Sequence, residues 1–248
     1  MIKTLFMGRK TVARKCLSWL IKDNRFDIKG ILTDNDLSTS PVASLAYKEN
    51  IPIYSYDKAL ELASKGEFEF GISVLYWRKL KGPLIFKNTK YGCINFHPAI
   101  LPDYKGFGGY NIAILEQLKK WGSSCHYVDE TIDTGPIINV DLFSIDPLIE
   151  TAKSLESKTL KVMESQFIRI IKNIRKIDGK LKSYPNIGGK YISRKEMELM
   201  KEITDADDPE IKSRAFFFPP YLGAYVKIKE KKMTVITQTI LKELAKND

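Results

Sequence analysis

Histidine and cysteine are scarce: the 248 residues hold two of the first and three of the second. Cys16, Cys93 and Cys125 are too few and too scattered for a disulfide framework or a zinc site. The sequence therefore predicts no metal and a reducing, cytoplasmic setting. No run approaches the roughly 18 apolar residues of a membrane span. The opening MIKTLFMGRK carries charge on both sides of a short apolar run and reads as a first strand, not a leader peptide. There is no G-x-G-x-x-G, which disfavours a nicotinamide dinucleotide.

What the chain does have is charge. The net formal charge is +10, and its distribution is uneven. Residues 1–150 hold 19 basic and 17 acidic side chains; residues 151–248 hold 21 and 13. A basic half suits RNA, a membrane surface or a phosphorylated small molecule. The lysines interleave with acids, however, which equally suits a solvated, lysine-rich surface.

Apolar patterning predicts alternating strands and helices. Strands are expected over 2–7, 27–34, at IPIY (51–54), over 68–76 and over 91–97. Helices are expected over 10–23, 41–50, 57–66, 108–122 and 149–177, with Gly122 and Gly179 as stops. SSCHYVDE and GPIINVDLFSI read as two further strands, and AYVKIKEKKMTVITQTI as a hairpin turning near Glu230–Lys231. This is an α/β chain with a Rossmann-like, mostly parallel sheet. A catalytic domain is expected over 1–183. A linker and small C-terminal subdomain ending in the hairpin are expected over 184–248, with no fold assigned to 184–212.

In such sheets ligands sit at the carboxyl ends of the strands. INFHP ends one strand, and the i, i+2 spacing of Asn95 and His97 points both side chains to one face. A base beside a hydrogen-bond donor suits attack on a carbonyl. In DETIDTG, Asp133 is either a turn residue or a carboxylate that orients the imidazole. Arg9 and Lys10 follow the first strand, where a helix N-terminus suits a phosphate. The run FFFPPY is either a packing plug or a stacking platform. His126 reads as a strand residue without a metal partner.

Taken together, INFHPAILPDYKG and HYVDETIDTG resemble the formyltransferases that use N10-formyltetrahydrofolate. Asn95, His97, Pro98, Leu101, Pro102, Tyr104, Gly106, Asp133 and Gly135 carry the likeness. The resemblance implies a catalytic triad of Asn95, His97 and Asp133. It implies cofactor contacts from the 75–83 segment (Tyr76, Trp77, Arg78, Leu80) and from Asp129 and Glu130. The GFGGYNIAILEQLKK stretch and the ending after Tyr225 look most like enzymes acting on nucleotide-linked amino-deoxysugars, dTDP-4-amino-4,6-dideoxyglucose above all, for O-antigen synthesis. On that reading Arg9 and Lys10 neutralise the pyrophosphate, and Tyr104, Gly106 and Tyr110 wall the amine side. A ring among Phe217, Tyr221 and Tyr225 stacks on the base, and the hairpin builds a homodimer. Two alternatives stay open: a methionyl-tRNA formyltransferase with a shortened appendage, and a non-catalytic folate- or nucleotide-binding module.

Overall fold

Buried β-branched and aromatic runs set the centre of the molecule. In the computed structural model, which describes residues 1–245, six strands form one sheet in the order β2-β1-β3-β4-β6-β7. They are β1 (Ile2–Gly8), β2 (Phe26–Leu32), β3 (Phe70–Val74), β4 (Gly92–His97), β6 (Lys120–Tyr127) and β7 (Ile137–Ser144). β1 pairs in parallel with β2 and β3, and β3 with β4, each across a crossover connection, which in β3–β4 holds only a short 3-10 helix, Gly82–Ile85. The β4–β6 and β6–β7 pairs are antiparallel, so the sheet is mostly rather than wholly parallel.

Helices α1 (Lys10–Ile21), α2 (Pro41–Lys48), α3 (Tyr56–Ser64) and α5 (Ala152–Ile177) cover the sheet. α5 places Phe167 against Phe96 of β4, ring centroids 5.1 Å apart, in the main core. Each such fully buried ring contributes about 1.5–3 kcal/mol. Ser40 and Ser55 cap α2 and α3, and a Thr151–Ser154 capping box starts α5. Asp178, left-handed at φ +51°, ends α5 one residue before Gly179.

Three expectations need correction. The helix predicted over 108–122 is only α4 (Gly109–Leu115). Gln117 at φ +50° breaks it, and Trp121, whose spacing read as helical, is fully buried as a residue of β6. IPIY forms no strand; Ile53 makes one isolated bridge to Ile31. The hairpin β9 (Tyr225–Ile228) and β10 (Lys231–Thr234) turns at the expected place but is followed by a helix, α8 (Gln238–Leu244).

The stretch left without a fold is structured. β8 (Lys190–Ile192) pairs in parallel with β5 (Tyr104–Gly106), the strand inside the loop after His97. α6 (Arg194–Leu199) and α7 (Pro209–Phe216) follow. Ile192, Met197, Ala215, Phe216 and Ala224 share a second core cluster with Ala99, Ile112 and Trp121.

Candidate active site

The parallel β3–β4 register and the antiparallel β4–β6 register set residues of three strands side by side. Ser73 of β3 lies opposite Asn95 of β4, which lies opposite His126 of β6. Asn95 and His97 project from the same face of β4, as their spacing requires. Asp133 comes from the β6–β7 loop in a left-handed conformation, φ +55°, uncommon for a residue with a side chain. Gly135 holds that loop tight. A Cβ there would stand 1.8 Å from the Tyr127 carbonyl oxygen, so only glycine fits. Asn186, from the segment before β8, donates to the Asp133 and Gly135 carbonyls at 2.9 and 3.0 Å.

His97 is buried. Its Nδ1 lies 3.4 Å from Asp133 Oδ2, and its Nε2 lies 3.0 Å from the Tyr104 carbonyl oxygen. Both partners only accept hydrogen bonds. Either neutral tautomer therefore sets one ring lone pair against an oxygen, and gaining a proton satisfies both contacts. Burial opposes the charge and lowers the His97 pKa from 6.5, outweighing the pull of Asp133. Burial also acts on Asp133, but His97, His126 and the Gly106 N–H (3.0 Å from Oδ2) outweigh it. The carboxyl is held well below the usual carboxylate range. The site thus pairs an ionised carboxylate with an imidazole ready to accept a proton.

His126 is the residue that sequence reading missed. Its Nε2 lies 3.0 Å from Asn95 Nδ2 and 3.5 Å from Asp133 Oδ1, and its Nδ1 lies 2.7 Å from the Tyr127 carbonyl. Ser73 Oγ donates to Asn95 Oδ1 at 2.7 Å. Only the antiparallel β4–β6 register brings His126 there.

The other expected residues divide into groups. Leu80 is buried with Leu84 and Phe86, and Tyr76 and Val128 pack on that cluster. The Tyr76 phenol is pushed up to about 12 by burial. The Arg78 guanidinium lies over the rings of Tyr56 (4.3 Å) and Trp77 (5.7 Å). Asp129 accepts from Thr131 N (3.1 Å) and Thr134 Oγ1 (2.7 Å), while Glu130 is exposed beside it. The 75–83 and 128–133 segments thus meet at one apolar cluster, through Tyr76 and Leu80 of the first and Val128 of the second.

Arg9 and Lys10 line a cleft of about 930 Å³ with Trp77, Lys153, Arg194, Phe218 and Tyr221. Arg9 pairs with Asp34 and Lys10 with Glu156. The Lys153 ammonium lies 4.7 Å from the Phe218 ring centre, and Tyr221 stands 5.9 Å from that ring. Among the described residues Arg194 forms no ion pair; it lies over Phe107, 4.9 Å from the ring centre.

Four residues sit differently from expectation. Phe217 caps the end of α7, and Phe218 rather than Phe217 faces the cleft. Tyr225 is buried in β9 under the Lys232 ammonium, away from the cleft, and cannot stack on a ligand there. The Tyr104 hydroxyl donates to Glu116, leaving only its carbonyl at the site. Tyr110 packs on Trp121, its phenol pushed well above the usual value of 10 by burial and by Glu156.

The sequence pattern of the formyl transferase family matches residues 39–171, which include Asn95, His97 and Asp133. The chain belongs to the formyl transferase family. It is an enzyme of formyl transfer, which suits a site made of a base, an amide donor and a carboxylate. A methionyl-tRNA formyltransferase of Clostridium tetani is 28% identical over 255 residues, covering 97% of this chain and 81% of that protein. Among solved structures, a 4-N formyltransferase from Francisella tularensis superimposes with a TM-score of 0.79 at 22% identity, covering 95% of this chain and 97% of that one. The sugar 3N-formyl transferase WlaRD, crystallised with dTDP and 5-N-formyl-THF, gives 0.73 at 25% identity, covering 94% and 84%. This formyl transferase shares its fold with those enzymes.

Proposed function

We propose that this formyl transferase moves the formyl group of N10-formyltetrahydrofolate to the amine of a nucleotide-linked amino-deoxysugar. The acceptor proposed is dTDP-4-amino-4,6-dideoxy-D-glucose, whose product enters O-antigen or lipopolysaccharide. The observation that carries this reading is the cleft. Arg9, Lys10, Lys153 and Arg194 stand beside Phe218 and Tyr221 at the same sheet edge as His97. Cations suit a diphosphate, and exposed rings suit a base. The presence of dTDP with WlaRD supports the same reading.

The folate supplies the activated formyl group, and its ring suits the wall of Tyr76, Leu80 and Val128 above the 129–133 loop. Trp77 and Arg78 flank that wall, and Asp129 and Glu130 edge it. The chain's own groups do the rest. The Asn95 Nδ2–H left free by His126 donates to the formyl oxygen as negative charge builds there. His97 takes the proton from the attacking amine and returns it to the departing nitrogen. Asp133 holds the imidazole and stabilises its cation.

A second reading has its own observation: the Clostridium tetani relative that aligns across 97% of this chain is a methionyl-tRNA formyltransferase. One assay separates the two. The protein is incubated with N10-formyltetrahydrofolate and either the amino sugar or charged initiator tRNA, and folate release is followed. Turnover with the sugar alone supports the leading reading; turnover with tRNA alone overturns it.

A homodimer belongs to the same proposal. The hairpin and α8 expose Ile228, Met233, Ile236 and Leu241. The outer edge of β10 is unpaired among the described residues, a situation that sheets seldom leave bare. Sedimentation of the wild type and of Met233→Glu tests it: a wild-type dimer that Met233→Glu dissociates supports the hairpin interface.

A further inference from the structure

We propose that His126 is a positioning residue that fixes which end of the Asn95 amide faces the reaction. The inference rests on Asn95 serving formyl transfer, and it concerns a side chain two strands away from Ser73 in one continuous row.

The argument is one of donors and acceptors. A side-chain amide has an oxygen and an NH2 group of nearly equal size, and packing barely distinguishes them. Asn95 must offer an N–H, not an oxygen, to a formyl oxygen gaining negative charge. Two neighbours flank the amide; the Ser73 hydroxyl can donate or accept and suits either end, so His126 settles the choice. Ser73 Oγ donates to Asn95 Oδ1 at 2.7 Å from one side. From the other, His126 Nε2 stands 3.0 Å from Asn95 Nδ2.

The role of that nitrogen is decided at the far side of the ring. His126 Nδ1 is 2.7 Å from the Tyr127 carbonyl, which can only accept, so Nδ1 carries the proton. Nε2 faces two groups, Asn95 Nδ2 at 3.0 Å and Asp133 Oδ1 at 3.5 Å, and the shorter contact, the one of hydrogen-bond length, is to the amide. In the neutral ring Nε2 then has only a lone pair, and it accepts one N–H of Asn95. The second N–H is left for the substrate. Turning the amide over would set Oδ1 against that lone pair. Ser73 and His126 are both almost completely buried, at 4% and 2% exposure, so water does not replace either partner. The arrangement needs β6 antiparallel to β4, since that register puts His126 opposite Asn95.

The first test uses the wild-type protein and needs no substrate. Long-range 1H–15N NMR of the His126 ring should report the Nδ1–H tautomer; an Nε2–H tautomer would overturn the proposal. The second is kinetic, with whichever of the two amines above the wild type turns over. His126→Leu should lower kcat about 10-fold or more while both KM values stay within about two-fold. His126→Gln, whose Oε1 can accept from Asn95, should recover most of the loss. In an Asn95→Ala background, His126→Leu should change kcat less than about two-fold, because the amide it orients is gone. Equal losses in both backgrounds would mark His126 as merely structural and overturn the inference. An Asn95→Ala protein with wild-type kcat would instead refute the role of Asn95, and this proposal with it.

Discussion

His97 Nδ1 lies 3.4 Å from Asp133 Oδ2, although the two residues come from different elements, the end of β4 and the β6–β7 loop. Asp133 pulls the His97 pKa upward while burial pulls it down, and burial wins. A base must be neutral to work, so kcat/KM should fall as pH drops through a value below 6.5. In Asp133→Asn the upward pull is gone, so this acid limb should move to still lower pH while kcat falls. A pH–rate profile of the two proteins checks both; a limb that moves upward would refute the pairing.

In the proposed mechanism His97 carries the proton transfer. His97→Asn should lower kcat at least about 10²-fold, the usual worth of a positioned general base. Circular dichroism should stay unchanged. Wild-type turnover in that variant would remove His97 from the mechanism.

Gly135→Ala should disturb the Asp133 loop, because the added Cβ would meet the Tyr127 carbonyl oxygen at 1.8 Å. Overpacking of this kind costs about 1–3 kcal/mol. Urea unfolding should show a lower midpoint, and activity should fall with it. Gly179→Ala serves as the control, since nothing stands within 4 Å of its Cβ position.

Asn186→Ala should loosen the same loop from the other side. It removes two hydrogen bonds to the Asp133 and Gly135 carbonyls. Leaving buried acceptors unpaired costs about 1–3 kcal/mol. The expected result is a loss of stability together with a lower kcat, read by thermal unfolding and initial rates.

Tyr221 is exposed at the mouth of the cleft and packs on Phe218. If a base stacks there, Tyr221→Ala should raise KM for the nucleotide sugar by about 5- to 150-fold, the range of a stacking energy near 1–3 kcal/mol. kcat should change little. Tyr225→Ala should leave KM for the sugar unchanged and affect stability alone, because that ring is buried in β9.

Much of this was legible in the sequence because it was local. Alternating apolar runs marked β1 to β4 and α5, and the Asn-x-His spacing put Asn95 and His97 on one face. What escaped depended on partners distant in sequence. Leu118 and Trp121 fit a helical stripe as well as a turn and a strand, and only burial in the second core decided for β6. His126 carried no signal of its own, since its place beside Asn95 exists only through the β4–β6 register. Phe217 and Phe218 are chemically identical, and the backbone turn at the end of α7 chose between them.

The parallel pair of β5 and β8 has a consequence for assembly. The loop that carries Tyr104 and Gly106 to His97 and Asp133 is clamped by chain made much later, at Lys190–Ile192. A ribosome-bound chain stalled after α5 would hold the whole six-stranded sheet and yet present an open, unbraced loop. Competence should therefore arrive late in synthesis and abruptly, when the strap at residues 184–192 emerges and closes. The residues of the site and the strand that braces their loop thus leave the ribosome at different times.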